Sequence, residues 1–163
     1  MNAVSKESPA AAREGCLHLY SDGAARGNPG PAGAGGQARD QHGKVLLEVR
    51  EYLGVTTNNV AEYYALIKVL EASSDLGYDC LRVHTDSELL VNQVNGGFKV
   101  KSSVLKPLVA RVKGLLEPYR EVQVEHIPRA KNTECDRLAN RAVDEGLAGQ
   151  RDAVLTERDD ALF

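Results

Sequence analysis

The sequence predicts one α/β domain built on a mixed sheet, and three observations carry that prediction. The first third alternates apolar and polar residues around glycine-rich and turn-like breaks, as hairpin strands do. The middle holds a long run at helical spacing. Beyond it, short alternating strands and helical segments take turns, an order that makes later strands parallel through helical crossovers. A length of 163 residues suits a single domain with a sizeable core.

Each element has its own signal. CLHLYSD (16–22) alternates and forms the first strand. It runs into SDGAARGNPGPAGAGG (21–36), where one aspartate precedes a dense run of glycine and proline that reads as a loop. Neither a phosphate-binding G-x-x-x-x-G-K-[ST] nor a dinucleotide fingerprint leading into a helix is present, so the loop joins strand to strand. After Gly36 the chain alternates around the turn-like Gln41, His42, Gly43 and Lys44, which gives hairpin strands near 34–40 and 45–53. In TTNNVAEYYALIKVLEASSDLG, Val60, Tyr64, Ile67 and Leu70 recur at helical spacing, Asn or Thr supplies the N-cap, and Gly77 ends the segment. CLRVHTD (80–86) is a further strand, SELLVNQVN a helix stopped at Gly96 and Gly97, and SSVLKPLVARVKGLLEPY another helical segment. EVQVEHIP alternates as a strand, and NTECDRLANRAVDEG is the closing helix. The predicted order is β-β-β-α-β-α-α-β-α, with a polar N-terminal arm at 1–15, the folded domain at 16–146 and a charged C-terminal tail at 147–163.

Composition excludes some classes of function. No apolar run approaches the ~20 residues that span a bilayer, and the first residues contain no apolar signal region, so the expected location is the cytoplasm. Cys16, Cys80 and Cys135 are an odd number at wide spacing, which predicts reduced thiols. The net charge of -3 argues against bulk electrostatic binding of nucleic acid. Residues 97–131 nevertheless carry eight Lys/Arg against three Asp/Glu, a local basic strip on an acidic body.

Four acids stand where strands end or helices begin, the places where sites gather in such sheets. They are Asp22, Glu62, Asp86 and Asp136. Each has a structural reading: an Asx-turn for Asp22, a capping box with Asn59 for Glu62, a cap on the helix at Ser87 for Asp86, and a box with Thr133 for Asp136. The functional reading is convergence. Carboxylate oxygens are the donors Mg²⁺ and Mn²⁺ prefer, and a cluster of four repels itself unless cations neutralise it. Two such ions would serve phosphodiester hydrolysis. The spacings of 40, 24 and 50 residues leave both readings open.

The segments DGAARGNPGPAG, TTNNVAEYYAL, TDSELLVNQVNG and HIPRAKNTECDRLAN, in that order, resemble type 1 ribonuclease H, the metal-dependent endonuclease that cuts the RNA strand of RNA/DNA hybrids. The resemblance covers about 16–146 and implies a ribonuclease H-like three-layer fold, a five-stranded mixed sheet with helices on both faces. It also implies a two-metal-ion mechanism leaving 5′-phosphate and 3′-hydroxyl ends. Asp22, Glu62, Asp86 and Asp136 fall on the family's four metal-binding carboxylates for Mg²⁺ or Mn²⁺, two ions per site. His126 falls on its mobile histidine, which assists proton transfer or product release. Asn28 matches an asparagine that contacts the nucleic-acid backbone, and Thr57, Asn58 and Asn59 match the helix-start residues that hold a DNA phosphate and read the minor groove. Gly23 and the glycines beyond it are expected to keep bulk away from that groove, where the 2′-OH marks RNA.

The chain also departs from the family pattern. Glu88 stands where many members carry glutamine, and the basic, tryptophan-containing protrusion is missing. Phe98, with Lys99 beside it, becomes the candidate DNA-side contact, its alternative being a core aromatic at a helix end. No separate hybrid-binding domain is expected ahead of the core, and the expected state is a monomer. The rival functions are a nuclease that also cuts double-stranded RNA and a catalytically silent nucleic-acid-binding module; the four intact carboxylates weigh against the second.

Overall fold

The computed structural model describes residues 12–96 and 99–161. Five strands form one sheet: β1 (Leu17–Ala25), β2 (Gly30–Arg39), β3 (Val45–Thr56), β4 (Cys80–Thr85) and β5 (Glu121–His126). The helices are α1 (Asn58–Ser73), α2 (Glu88–Val94), α3 (Leu105–Leu116) and α4 (Thr133–Ala161), with a 3₁₀ turn at Arg129–Lys131 before α4. The observed order of elements is the predicted one. Across the sheet the strands lie β3-β2-β1-β4-β5. β1 pairs antiparallel with β2, and β2 with β3. β1 pairs parallel with β4, and β4 with β5. The β1–β4 pair is thus a seam between an antiparallel meander and a parallel unit.

The glycine-rich stretch is not a loop. Its residues continue β1 to Ala25 and begin β2 at Gly30, leaving a turn at residues 26–29 with a cis Asn28–Pro29 bond. The glycines serve helix packing. A Cβ on Gly23 would overlap the Ala61–Glu62 peptide of α1, and one on Gly35 would overlap the Cys135 carbonyl and Leu138 of α4. Without side chains at these points, two helices come down onto the backbone of the central strands from opposite faces. The second hairpin turn is the predicted one. Asp40 Oδ1 accepts the His42 and Lys44 N–H groups at 2.8 and 2.9 Å, and Gly43 takes φ +84°.

The main core lies between the sheet and the α1–α3 layer. Leu17 and Leu19 of β1 and Leu81 and Val83 of β4 pack there with Leu66, Leu70 and Val112. Of the four α1 residues at helical spacing, Val60, Ile67 and Leu70 are buried, but Tyr64 is 37% exposed on the outer side of the helix. On the other face, Leu138, Ala139, Ala142 and Val143 of α4 are buried. The α4 backbone runs on past residue 146 as continuous helix. Among the described residues no helix is long and apolar enough to cross a membrane.

The expectation of three reduced thiols is overturned. Cys16 and Cys80 are joined in a disulfide, while Cys135 is buried and free. Topology explains the pairing: Leu17 lies opposite Leu81 in the parallel ladder, so the residues before them are neighbours despite a separation of 64. Wide spacing in sequence hid a short distance in space.

Candidate active site

The ends of β1 and β4 and the starts of α1 and α4 meet at one rim of the sheet. Asp22 sits opposite Gly35 in the β1–β2 ladder and is 6% exposed. Glu62, in the second turn of α1, is 7% exposed. Asp86 follows β4 directly. Carboxylate oxygens of Asp22, Glu62 and Asp86 all lie within 4.8 Å of one another. Asp136, in the first turn of α4, is outside that tight group but lines the same polar cleft of about 170 Å³, together with Asp22, Glu62, Asn58 and Arg129.

None of the first three acids is occupied as a helix cap. Thr57 caps α1 by accepting the Val60 N–H at 3.3 Å, and Ser87 caps α2 by accepting the Leu90 N–H at 3.2 Å. Glu62 instead accepts the N–H of Gly23, the residue after Asp22. That contact depends on the bare Gly23 backbone beneath α1.

The electrostatics are those of crowded acids. Burial, and then the Glu62 charge, hold the Asp22 carboxyl far above the ordinary carboxylate range. Glu62 is lifted by burial too, against the hydrogen bonds from Asp22 and Gly23. Asp86 is raised by burial and partly relieved by the Arg129 guanidinium, whose Nε lies 4.0 Å from Asp86 Oδ2. Three carboxylates this close stay charged together only if cations enter among them. The donor set is all oxygen, hard and anionic, and so fits Mg²⁺ or Mn²⁺ rather than a soft metal.

The remaining expected residues lie around the rim. His126 ends β5, is exposed, pairs with Thr85 in the ladder and bears electrostatically on Asp86. Asn28 Oδ1 accepts the Asn58 N–H at 3.0 Å, tying the β1–β2 turn to the start of α1. Asn28, Thr57, Asn58 and Asn59 are all exposed there. Gly23 has its N–H committed to Glu62. Lys99 is exposed, and Phe98 lies outside the described residues.

Two residues of the site were missed as contributors. Arg129, 91% exposed in its side chain, is the cation at the carboxylate cleft. Asn132 is 2% exposed, and its Nδ2 donates to the Ser21 carbonyl at 2.8 Å. Its own carbonyl accepts the Asp136 N–H at 3.1 Å. Asn132 therefore ties the root of α4 to the residue before Asp22. The only sequence signal for either was its place inside a motif read for other residues.

Comparison with known proteins agrees with this architecture. Residues 20–142 match the family described as reverse transcriptase-like. The chain is 40% identical over 133 residues to ribonuclease HI of Halobacterium salinarum, covering 82% of this chain and 67% of that protein. The crystal structure of that organism's RNase H1 superposes with a TM-score of 0.77, over 80% of this chain and 99% of the other. The bifunctional protein Rv2228c of Mycobacterium tuberculosis is 44% identical over 77% of this chain, which spans only 35% of that longer protein. LC11-RNase H1, solved in complex with an RNA/DNA hybrid, is 44% identical with a TM-score of 0.76, over 80% of this chain and 99% of that one. A five-stranded mixed sheet in the ribonuclease H order, a carboxylate cluster at its rim and these similarities lead to one conclusion: the chain belongs to the type 1 ribonuclease H family of endoribonucleases.

Proposed function

We propose that this chain hydrolyses the RNA strand of RNA/DNA hybrids endonucleolytically, leaving 5′-phosphate and 3′-hydroxyl ends. The observation that carries the reading is the meeting of Asp22, Glu62 and Asp86 within 4.8 Å, with Asp136 on the same cleft. These four residues would hold two Mg²⁺ or Mn²⁺ ions. When bound, such ions supply activation of a water nucleophile and stabilisation of the leaving oxygen.

The chain's own groups do the rest. Asn28 spends its Oδ1 on Asn58, which leaves its Nδ2 as a donor toward a sugar or phosphate. The start of α1 presents the positive end of the helix dipole with the short amide side chains of Asn58 and Asn59 beside it, a surface suited to a phosphate and to a shallow minor groove. Contacts of this kind touch backbone and sugar, so cleavage is expected without sequence preference. The His126 imidazole, exposed at the rim beside Asp86, is the group placed to take or give the proton of a departing group. Arg129 offers a guanidinium to the incoming phosphate.

The test is cleavage of end-labelled RNA in a hybrid with Mg²⁺ or Mn²⁺ supplied, and end-group analysis of the products. Cleavage that disappears in Asp22→Asn supports the reading. A chain that binds the cations yet leaves the hybrid intact, while cutting another substrate, overturns it. Equal rates on hybrid and on double-stranded RNA would replace hybrid specificity by a broader nuclease.

A further inference from the structure

The seam between β1 and β4 carries the site at one end and the disulfide at the other. Asp22 stands six residues after Cys16, and Asp86 six residues after Cys80. At the usual rise per strand residue, that puts roughly 20 Å between the sulfurs and the carboxylates. Side chains alternate along a strand, so Cys16, His18, Tyr20 and Asp22 share one face of β1. On β4 the matching positions are Cys80, Arg82 and His84. Side-chain rungs link the strands between the two ends. Tyr20 stacks on His84 with ring centroids 4.5 Å apart, and a His18 ring nitrogen lies 2.9 Å from one of His84. Across the seam the antiparallel meander meets the β4–β5 unit, and the two carboxylates of the seam come one from each side.

We propose that Cys16 and Cys80 form a reversible redox clamp on this seam, closed under oxidising conditions and opened by a low-molecular-weight thiol. Intracellular disulfides outside extreme thermophiles are mostly transient and redox-sensing, and a reversible bond fits that use. Cys16 is half-buried and Cys80 buried, so the incoming thiolate attacks the Cys16 sulfur. A mixed disulfide forms on Cys16 and the Cys80 thiolate leaves. A second thiolate then attacks the small-molecule sulfur, releasing the Cys16 thiolate and a low-molecular-weight disulfide. The same couple run backwards closes the clamp.

Glu121 sets the resistance of the clamp. Its carboxylate lies within 4.8 Å of both sulfurs and is paired with Arg82 at 2.8 Å. A negative charge there opposes the leaving Cys80 thiolate and slows opening. Opening removes a link that closes a long chain loop, and it frees the two halves of the sheet to separate first at the seam.

The experiment uses the full chain equilibrated with defined ratios of a small thiol and its disulfide. Denatured without reductant, the oxidised protein should show one free thiol, and three after reduction. Reduction should lower Tm by roughly 5–15 °C and speed amide exchange in residues 17–21 and 81–85. The double variant C16S/C80S should melt like the reduced protein and ignore the reductant, and Glu121→Gln should be reduced several-fold faster. Three free thiols after exposure to the small disulfide, or a Tm that reduction does not move, would overturn the proposal. A Glu121→Gln rate equal to the parent's would remove Glu121 from it. Hybrid cleavage, which rests on the proposed function, should fail at a lower temperature for the reduced form. If neither form cleaves, the nuclease reading falls while thiol count and Tm still decide the clamp.

Discussion

The two halves of the carboxylate cleft are built on different physics. In the β1–α1 half, Asp22 and Glu62 are buried and hydrogen-bonded to each other, and the Gly23 N–H fixes Glu62 from the backbone of the next residue. In the α4 half, Asp136 is exposed, its only side-chain neighbour by hydrogen bond among the described residues being Asn140 at 3.3 Å, and α4 is anchored through Asn132. The first half is held by packing and stores charge repulsion. The second carries its acid on the exposed side of α4, whose opposite face packs on the sheet, and stores little. Substitutions in the first half should therefore change rate and stability together, whereas those in the second should change rate modestly and stability hardly at all.

The largest expected effect is Asp22→Asn. It removes a charge that every other acid of the cleft faces and a donor oxygen central to the cluster. Several kcal/mol of charge stabilisation are at stake, so cleavage should fall by about 10³-fold or more. The cation-free protein should at the same time gain in Tm, because a buried acid under repulsion has been replaced by a neutral isostere. A loss of activity with a loss of Tm would break the comparison at its first half. Next in size is Gly23→Ala. A methyl there meets the α1 backbone rather than a movable side chain. The helix must shift off β1 at a cost of about 1–3 kcal/mol, carrying Glu62 with it. Thermal melting and cleavage rate should fall together, the rate by about 10²-fold for a displacement near 1 Å.

These glycines also show where the sequence was legible. Element order and the hairpin pairing followed from periodicity and turn residues, because each is encoded within a few neighbouring residues. The candidate acids were visible as positions at strand ends and helix starts, but local pattern left their convergence open and a resemblance favoured it. The misreadings share a cause. Gly23 and Gly35 signal backbone exposure, which a loop and a helix-covered strand require equally, and only the partner helix, about 40 or 100 residues away, decides between them. The Cys16–Cys80 pair was hidden in the same way, since a parallel crossover brings together residues that no local pattern links. Asn132 looked like part of a helix start until the Ser21 carbonyl, on a distant strand, gave its side chain a purpose.

Titration of the cation-free protein gives a finer test of the buried half. Asp22 and Glu62 both have folded-state values raised above the ordinary carboxylate range, with burial the first cause in each. For acids shifted upward, the folded state binds more protons than the unfolded chain, so stability is fullest below the unfolded values and is lost as pH rises through the raised ones. The Tm of the cation-free protein should therefore fall as pH climbs from the acidic toward the neutral and alkaline range. Adding Mg²⁺ or Mn²⁺ should flatten the slope, since the cation takes over the neutralising role of the proton. A flat profile without cation would mean that the buried acids are not under repulsion.

The smallest expected effect belongs to Asp136→Asn. The amide keeps the size of the carboxyl and one oxygen for a cation. The backbone tie to Asn132 runs through the Asp136 N–H and is untouched by the change. With the side chain exposed, water already screens the charge that is lost. Cleavage should fall by about tenfold, one step of roughly 1.4 kcal/mol, with Tm unchanged and the cation concentration for half-maximal rate increased. Asn132→Ala acts on the same half by a different route. It leaves the Asp136 carboxylate intact but cuts the link to Ser21, costing about 1–3 kcal/mol for the buried carbonyl left unpaired. If Asp136→Asn lowered Tm as much as Asn132→Ala does, the exposed half would be carrying structural load through its carboxylate, and the division of the cleft into a buried-acid half and an exposed-acid half would fail.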